Sequence, residues 1–382
     1  MALFREYSIT EQCLGPVSQL ADTPDWIYSL DNPYLHGVYA PTLNEMHVDN
    51  LPVSGELPAD LLGAYFRNGP NPRFQPRNRH HPFDGDGMVH GVYFRDGKAS
   101  YRNRHVQTAA LAQELASGKS ISPGVMGPFD YNISRFGIKD TANTDVLWYA
   151  GDLVALWYNA GDPYRLGGND LRTKGHFNLH GRAQTRMSAH AKVDASNGEL
   201  LFFDYGDEPP YMTYGVADAG GNLLHEVAID LPGPRLPHDI GFTQHYAVVH
   251  DLPFFHDMNV LRKHGYRVLT FHRDIPTRFG IIPRRGQSAD VRWFECQPCY
   301  ILHVTNCWEE DDWVVMDGCR SLNPMPDAQA GEGKLASMLA YMRLEANAYR
   351  WRFNLKTGEV REGDIDDLNT EFNKSNPLFH GV

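Results

Sequence analysis

The sequence carries no basic block. Lys and Arg number 35 against 47 Asp and Glu, a formal net charge of −12. A nucleic-acid surface needs a cationic stripe, so nucleic acid is not an expected partner. Cysteine is scarce and odd in number: Cys13, Cys296, Cys299, Cys307 and Cys319 are the five in 382 residues. So sparse a set predicts reduced thiols and an intracellular setting rather than a disulfide scaffold. Cys296-x-x-Cys299 lacks the second CxxC or histidine pair that completes a structural zinc site. No apolar run approaches the ~18 residues of a membrane span. The opening Met1-Ala2-Leu3-Phe4-Arg5-Glu6 shows no apolar signal core. Together these predict a cytoplasmic protein, with peripheral membrane contact through an apolar patch left open.

Long helical periodicity is also rare. Residues 1–55 read as an irregular arm broken by Pro16, Pro24, Pro33 and Pro41. An apolar run, Leu61–Phe66, leads into a dense turn region, Arg67–Phe74. Asp84-Gly85-Asp86-Gly87 follows and opens a strand, which Asp96-Gly97 folds back as a hairpin. A calcium loop would need more oxygen ligands at regular spacing, so the Asp-Gly repeat reads as a structural turn. Residues 107–140 break the pattern: Thr108–Ala116 has good helix formers and stops at Gly118, which predicts an insertion over one face. A second helical insertion is predicted near 333–344. Elsewhere short strands alternate with turn signals at Gly151-Asp152, Asn197-Gly198, Gly220-Gly221-Asn222 and Lys356-Thr357-Gly358, the Asn-Gly pair predicting a two-residue hairpin. Many short strands with little helix predict an all-β propeller, barrel or sandwich.

Three histidines each adjoin a short apolar run: His190 in Ser188-Ala189-His190-Ala191, His238 in Leu236-Pro237-His238-Asp239, and His303 in Ile301-Leu302-His303-Val304. They are 48 and 65 residues apart. Propeller blades repeat at roughly 40–50 residues, so one histidine per blade, with one insertion, fits. Imidazoles meeting on a propeller axis make a metal site. Imidazole suits zinc, copper, iron and nickel alike, so the ligands alone leave the metal open.

The chain resembles the carotenoid cleavage oxygenase family. The likeness runs through Asn32-Pro33-Tyr34, Arg67–Pro72, Asp84–His90, Thr141-Ala142-Asn143-Thr144, the three histidine stretches, Phe279–Gly286 and Asp366–Phe372. It implies a seven-bladed β-propeller with a loop-and-helix dome, in a single domain, and an Fe(2+) cofactor held by four histidines, three matching His190, His238 and His303. It implies an outer glutamate at Glu371. At the place of another such glutamate stands Tyr158, which brings no negative charge, so a weaker grip is expected there. Family members continue beyond the point matching Val382, through the last blades and the fourth histidine, which implies an incomplete propeller here. Phe379-His380-Gly381 looks like the family's closing motif but directly follows the Glu371-Phe372 segment, so His380 is not counted as a ligand.

The implied reaction adds dioxygen across one double bond of an apolar polyene to give two carbonyl products. The stilbene-cleaving branch carries a lysine where Trp157 stands, which favours a carotenoid or apocarotenoid substrate. Phe66, Tyr149, Trp157, Phe242 and Trp308 are candidate cavity residues, and Leu252-Pro253-Phe254-Phe255 is a segment that lines a tunnel, rests on a membrane surface or simply packs under a loop. The rival readings are a hydroxystilbene dioxygenase, a non-catalytic apocarotenoid-binding protein and an unrelated calcium-dependent propeller hydrolase.

Overall fold

The computed structural model describes residues 32–381, apart from 43, 78, 183–184, 332, 334–335, 337–339 and 341–342. The first sheet joins β1 (His47–Val48), β2 (Gly63–Pro70), β3 (Gly87–Arg95) and β4 (Lys98–His105) in the order β1-β4-β3-β2. Asp96 and Gly97, at φ 52 and 68, make the tight turn between β3 and β4. Strand β2 continues through Arg67–Pro70, where turns were expected. It lies at the sheet edge, and there the missing N–H of Pro70 breaks no ladder.

Helix α1 (Ala109–Ser117) follows. The Thr108 side chain accepts from the Leu111 N–H at its start, and Gly118, at φ 68, ends it in the left-handed conformation. The Asp84–Gly87 turn is tied to this helix. Lys139 reaches Asp86 at 2.6 Å and Glu114 of α1 at 2.5 Å, all three buried. Asp84 accepts from the N–H groups of Val125 and His81 at 2.7 and 2.8 Å.

The second sheet runs in chain order through β5 (Asp145–Tyr149), β6 (Asp152–Leu156), β7 (Tyr164–Leu166) and β8 (Thr173–His176). The third holds β9 (Lys192–Val193), β10 (Leu200–Tyr205), β11 (Met212–Ala217) and β12 (Leu223–Ala228). The fourth begins with β13 (Gly241–Phe242) and β14 (Tyr246–Asp251). An excursion then holds a ribbon of β15 (Phe254–His256) and β16 (Leu269–Phe271), with α2 (Met258–His264) between them. The fourth sheet resumes with β17 (Thr277–Pro283) and β18 (Arg292–Cys296). The fifth holds β19 (Tyr300–Glu310), β20 (Trp313–Ser321), β21 (Asn347–Asn354) and β22 (Val360–Asn369). Every strand pair is antiparallel, and no sheet closes into a barrel among the described residues.

A period of two explains how the sheets stack. Successive residues on a strand face opposite sides. Leu153 and Ala155 of β6 pack with Val89 and Val106 of the first sheet's side, while Val154 and Leu156 pack with Leu200 and Phe202 of β10. Leu201 and Phe203 of β10 turn the other way, onto Ala247 and Val249 of β14. Val248 of β14 faces Val314, Met316 and Trp351 of the fifth sheet. The cores are thus sandwiched between consecutive sheets, and the central strands are buried on both faces. Each fully buried side chain such as Phe202 or Phe203 contributes about 1.5–3 kcal/mol.

Two local readings change. No two-residue turn forms at Asn197-Gly198: β9 and β10 are joined by residues 194–199, and Gly198 is left-handed at φ 76. The Asp194 carboxylate organises this longer loop by taking the N–H and hydroxyl of Ser196 at 2.9 and 2.6 Å and Arg284 at 2.6 Å. Helix α2 was not anticipated, because seven residues are too few for a periodic signal, although Asp257 caps it and Gly265 ends it. Of the readings of Leu252–Phe255, Leu252 and Phe254 follow the packing one, buried against Tyr300. Of the expected arm, residues 1–31 lie outside the described residues, as does most of the expected helix at 333–344. No helix among the described residues is long and apolar enough to cross a membrane.

Candidate metal centre

Three consecutive sheets each deliver one histidine at the entry of their first strand. His190 stands two residues before β9, His238 three before β13, and His303 is the fourth residue of β19. One nitrogen from each lies within 4.8 Å of the others. His190 Nε2 and His238 Nε2 are 3.1 Å apart. His190 adopts φ 64, an uncommon left-handed conformation for a side-chain-bearing residue, which turns the chain sharply just before the strand.

The outer nitrogens explain which atoms face inward. His190 Nδ1 lies 2.9 Å from Asp145 Oδ2, and His303 Nδ1 lies 2.6 Å from Glu371 Oε2. A carboxylate accepts, so each Nδ1 carries a proton, and in the neutral ring each Nε2 keeps a lone pair. Two lone pairs at 3.1 Å repel unless a cation or proton lies between them. That separation is roughly what two imidazoles at right angles would show about 2.1 Å from a shared ion. Burial, then the neighbouring His190 and His303, push the His238 pKa well below its ordinary value, so its ring is neutral and ready to ligate. Burial also lowers His303, against the opposing pull of Glu371. The Asp145 carboxyl is buried, which would raise it, but His190, Lys374 and Lys192 hold it well below the usual carboxylate range. A neutral, nitrogen-only donor set fits a divalent transition metal better than calcium or magnesium, which seek oxygen.

Behind the cluster, Asp239 links all three histidine segments. Its carboxylate meets Lys192 Nζ at 2.7 Å and accepts the Val304 N–H at 2.8 Å. Lys192 follows His190 by two residues, Asp239 follows His238, and Val304 follows His303. Sequence reasoning singled out neither Asp145 nor Asp239. Asp145 stands beside a quoted segment and Asp239 inside one, but their partners are 45 and 65 residues distant, and no local pattern announces such a pairing.

A cavity of about 390 Å³ opens against His190 and His303, with Trp148, Phe372, Lys192 and His380 on its walls. The expected cavity residues lie elsewhere. Tyr149 is buried between the second and third sheets and donates to the Asp218 carbonyl. Trp157 is buried against Phe136, and Phe242 belongs to the core between the third and fourth sheets. Phe66 lines a separate groove with Tyr93 and Trp148, and Trp308 donates to Glu310 at 2.8 Å under Arg350. At Tyr149 alternation explains the offset, since its neighbour Trp148 is the residue that lines the opening. Tyr158 lies beside His238 with ring centroids 6.5 Å apart, while the carboxylate on His190 comes from Asp145. His380 is outside the three-histidine set and packs 6.2 Å from Phe242. Cys296 and Cys299 are buried in the core between the fourth and fifth sheets, and burial pushes the Cys299 thiol up to about 12.

Residues 39–382 match the family model described as retinal pigment epithelial membrane protein, RPE65. The chain belongs to the RPE65/carotenoid cleavage oxygenase family. Within that family it is 35% identical over 375 residues to the carotenoid 9,10(9',10')-cleavage dioxygenase 1 of Phaseolus vulgaris, a match covering 92% of this chain and 68% of the bean protein. Its fold is similar to that of the lignostilbene dioxygenase of Pseudomonas brassicacearum, with TM-score 0.80 and 29% identity over 92% of this chain and 74% of that one. Cobalt-substituted apocarotenoid oxygenase of Synechocystis matches with TM-score 0.76 and 25% identity over 89% of this chain and 74% of that one. The architecture shared with these family members is all-β with few helices.

Proposed function

We propose that this chain is a ferrous-iron dioxygenase that cleaves one carbon–carbon double bond of a carotenoid or apocarotenoid. Each product carries one oxygen atom of O2 as a carbonyl. The observation that carries the reading is the convergence of three imidazole nitrogens within 4.8 Å, two of the rings buried and the third partly so, with two of them held from behind by carboxylates. His190, His238 and His303 would hold the ion, and the sheets would be successive blades of a seven-bladed propeller. Bound ferrous iron supplies the redox chemistry that makes dioxygen reactive toward an electron-rich alkene. The protein's share is to keep three neutral rings pointed at one place, to exclude competing ligands, and to seat an apolar chain beside them. Trp148 and Phe372 provide apolar surface in the adjoining cavity. The bean relative's name supports a carotenoid substrate.

A hydroxystilbene substrate is the second reading, favoured by the likeness to a lignostilbene dioxygenase. Against it, the lysine expected of that branch is replaced by the buried Trp157. The test is an assay of anaerobically iron-loaded protein under ¹⁸O2 with an apocarotenal and with a hydroxystilbene. Labelled aldehyde from the apocarotenal supports the first reading and product from the stilbene alone supports the second. No product from either, in protein that retains iron, refutes both.

A further inference from the structure

We propose that Asp145 is a positioning residue: it sets the tautomer and direction of His190, and through that ring the affinity of the metal centre. The inference rests on the metal-centre reading above and adds a residue to it.

Asp145 is placed as deliberately as the histidines are. It is the first residue of β5, the first strand of the second sheet, so the second sheet too delivers a side chain to the histidine cluster from the start of its first strand. Its two oxygens have separate tasks. Oδ1 accepts its neighbour's N–H, from Val146, at 2.8 Å, and Oδ2 meets His190 Nδ1 at 2.9 Å. Its backbone carbonyl is clamped by Asn68 Nδ2 at 3.0 Å, and that same amide group donates to the Ala142 carbonyl at 2.8 Å. The backbone that carries the carboxylate is therefore fixed at the join between the first and second sheets.

His190 needs such support more than His303 does. His303 sits inside β19 at a bulge, and its neighbour Val304 is held there by pairing with Gly318 and by the Asp239 carboxylate on its N–H. His190 lies outside β9 at φ 64. Its ring direction depends on side-chain contacts rather than on a ladder. An isolated neutral imidazole favours its proton on Nε2, the wrong atom for a ligand that must present Nε2. A fixed carboxylate at Nδ1 reverses that preference and stops the ring from flipping.

The experiment uses the full chain, metal-free and labelled with ¹⁵N-histidine, and then titrated with Co²⁺ under anaerobic conditions. In the parent, long-range ¹H–¹⁵N spectra should show His190 protonated at Nδ1. Asp145→Ala should move that proton to Nε2, weaken Co²⁺ binding by about 10–100-fold and shift the visible Co²⁺ bands. Asp145→Glu should recover most of the affinity. Should Asp145→Ala fail to fold by circular dichroism, Asp145→Asn keeps the shape and removes the charge, and about a tenfold loss of Co²⁺ affinity is expected. An unchanged tautomer with unchanged Co²⁺ affinity and bands, in whichever of these variants folds, overturns the proposal. A parent that binds no Co²⁺ but shows the Asp145-dependent tautomer supports the positioning role and refutes the metal centre instead.

Discussion

Lys192 Nζ lies 2.7 Å from Asp239 Oδ1, and this pair, Asp239 buried and Lys192 mostly so, joins the strand after His190 to the residue after His238. The second oxygen of Asp239 takes the Val304 N–H, so one carboxylate ties three sheets together directly behind the cluster. Removing one partner of a buried pair leaves the other charge uncompensated. Asp239→Ala should therefore cost about 3–5 kcal/mol in urea unfolding. The double change Lys192→Met/Asp239→Ala should cost clearly less than the sum of the two single changes, because the stranded charge is gone. Additive losses would mean that the pair does not act as a unit.

Gly241 makes a second kind of join. A Cβ built there would stand 2.5 Å from Cys307 Sγ, across the contact between the fourth and fifth sheets. Cys307 is buried and has little room to move. Gly241→Ala should destabilise by about 1–3 kcal/mol through overpacking. Adding Cys307→Ala should relieve part of that loss. Equal or greater instability in the double variant would show that the strain lies elsewhere.

Acid should weaken the fold through His250. The ring is fully buried between the fourth and fifth sheets, and neither nitrogen has a hydrogen-bond partner among the described residues. Burial lowers its pKa from 6.5 to about 4. The unfolded chain binds this proton as pH falls below 6.5, and the folded chain resists it until about 4. Stability from this group is therefore full above pH 6.5 and declines across that window, by about 3 kcal/mol at most. His250→Leu should flatten the fall in unfolding free energy between pH 6.5 and 4 relative to the parent. Parallel profiles would contradict the buried-neutral assignment.

How far the sequence discloses all this differs from element to element. Helix α1 was legible because Thr108 and Gly118 mark both ends and good helix formers lie between them. The turn at Asp96-Gly97 was legible because those residue types tolerate positive φ. The three histidines were legible through spacing and likeness, and Glu371 through likeness alone. Asp145 was not, because a carboxylate opening a strand is commonplace until the fold sets an imidazole 2.9 Å away. The short β9 and its long loop were obscured by Asn197-Gly198, whose hairpin signal was outweighed by the contacts of Asp194 with Ser196 and Arg284. Tyr149 was displaced from the cavity because one residue along a strand reverses the facing side, which aromatic character cannot report.

The central claim is that His190, His238 and His303 together hold one metal ion. It is tested most directly by anaerobic equilibrium dialysis of Fe(II) against the parent chain and the triple variant His190→Ala/His238→Ala/His303→Ala. The account predicts about one iron per parent chain and near none in the triple variant, with both folded by circular dichroism, since ligand identity and count set affinity. Equal iron in the two proteins, or none in a folded parent, would contradict it.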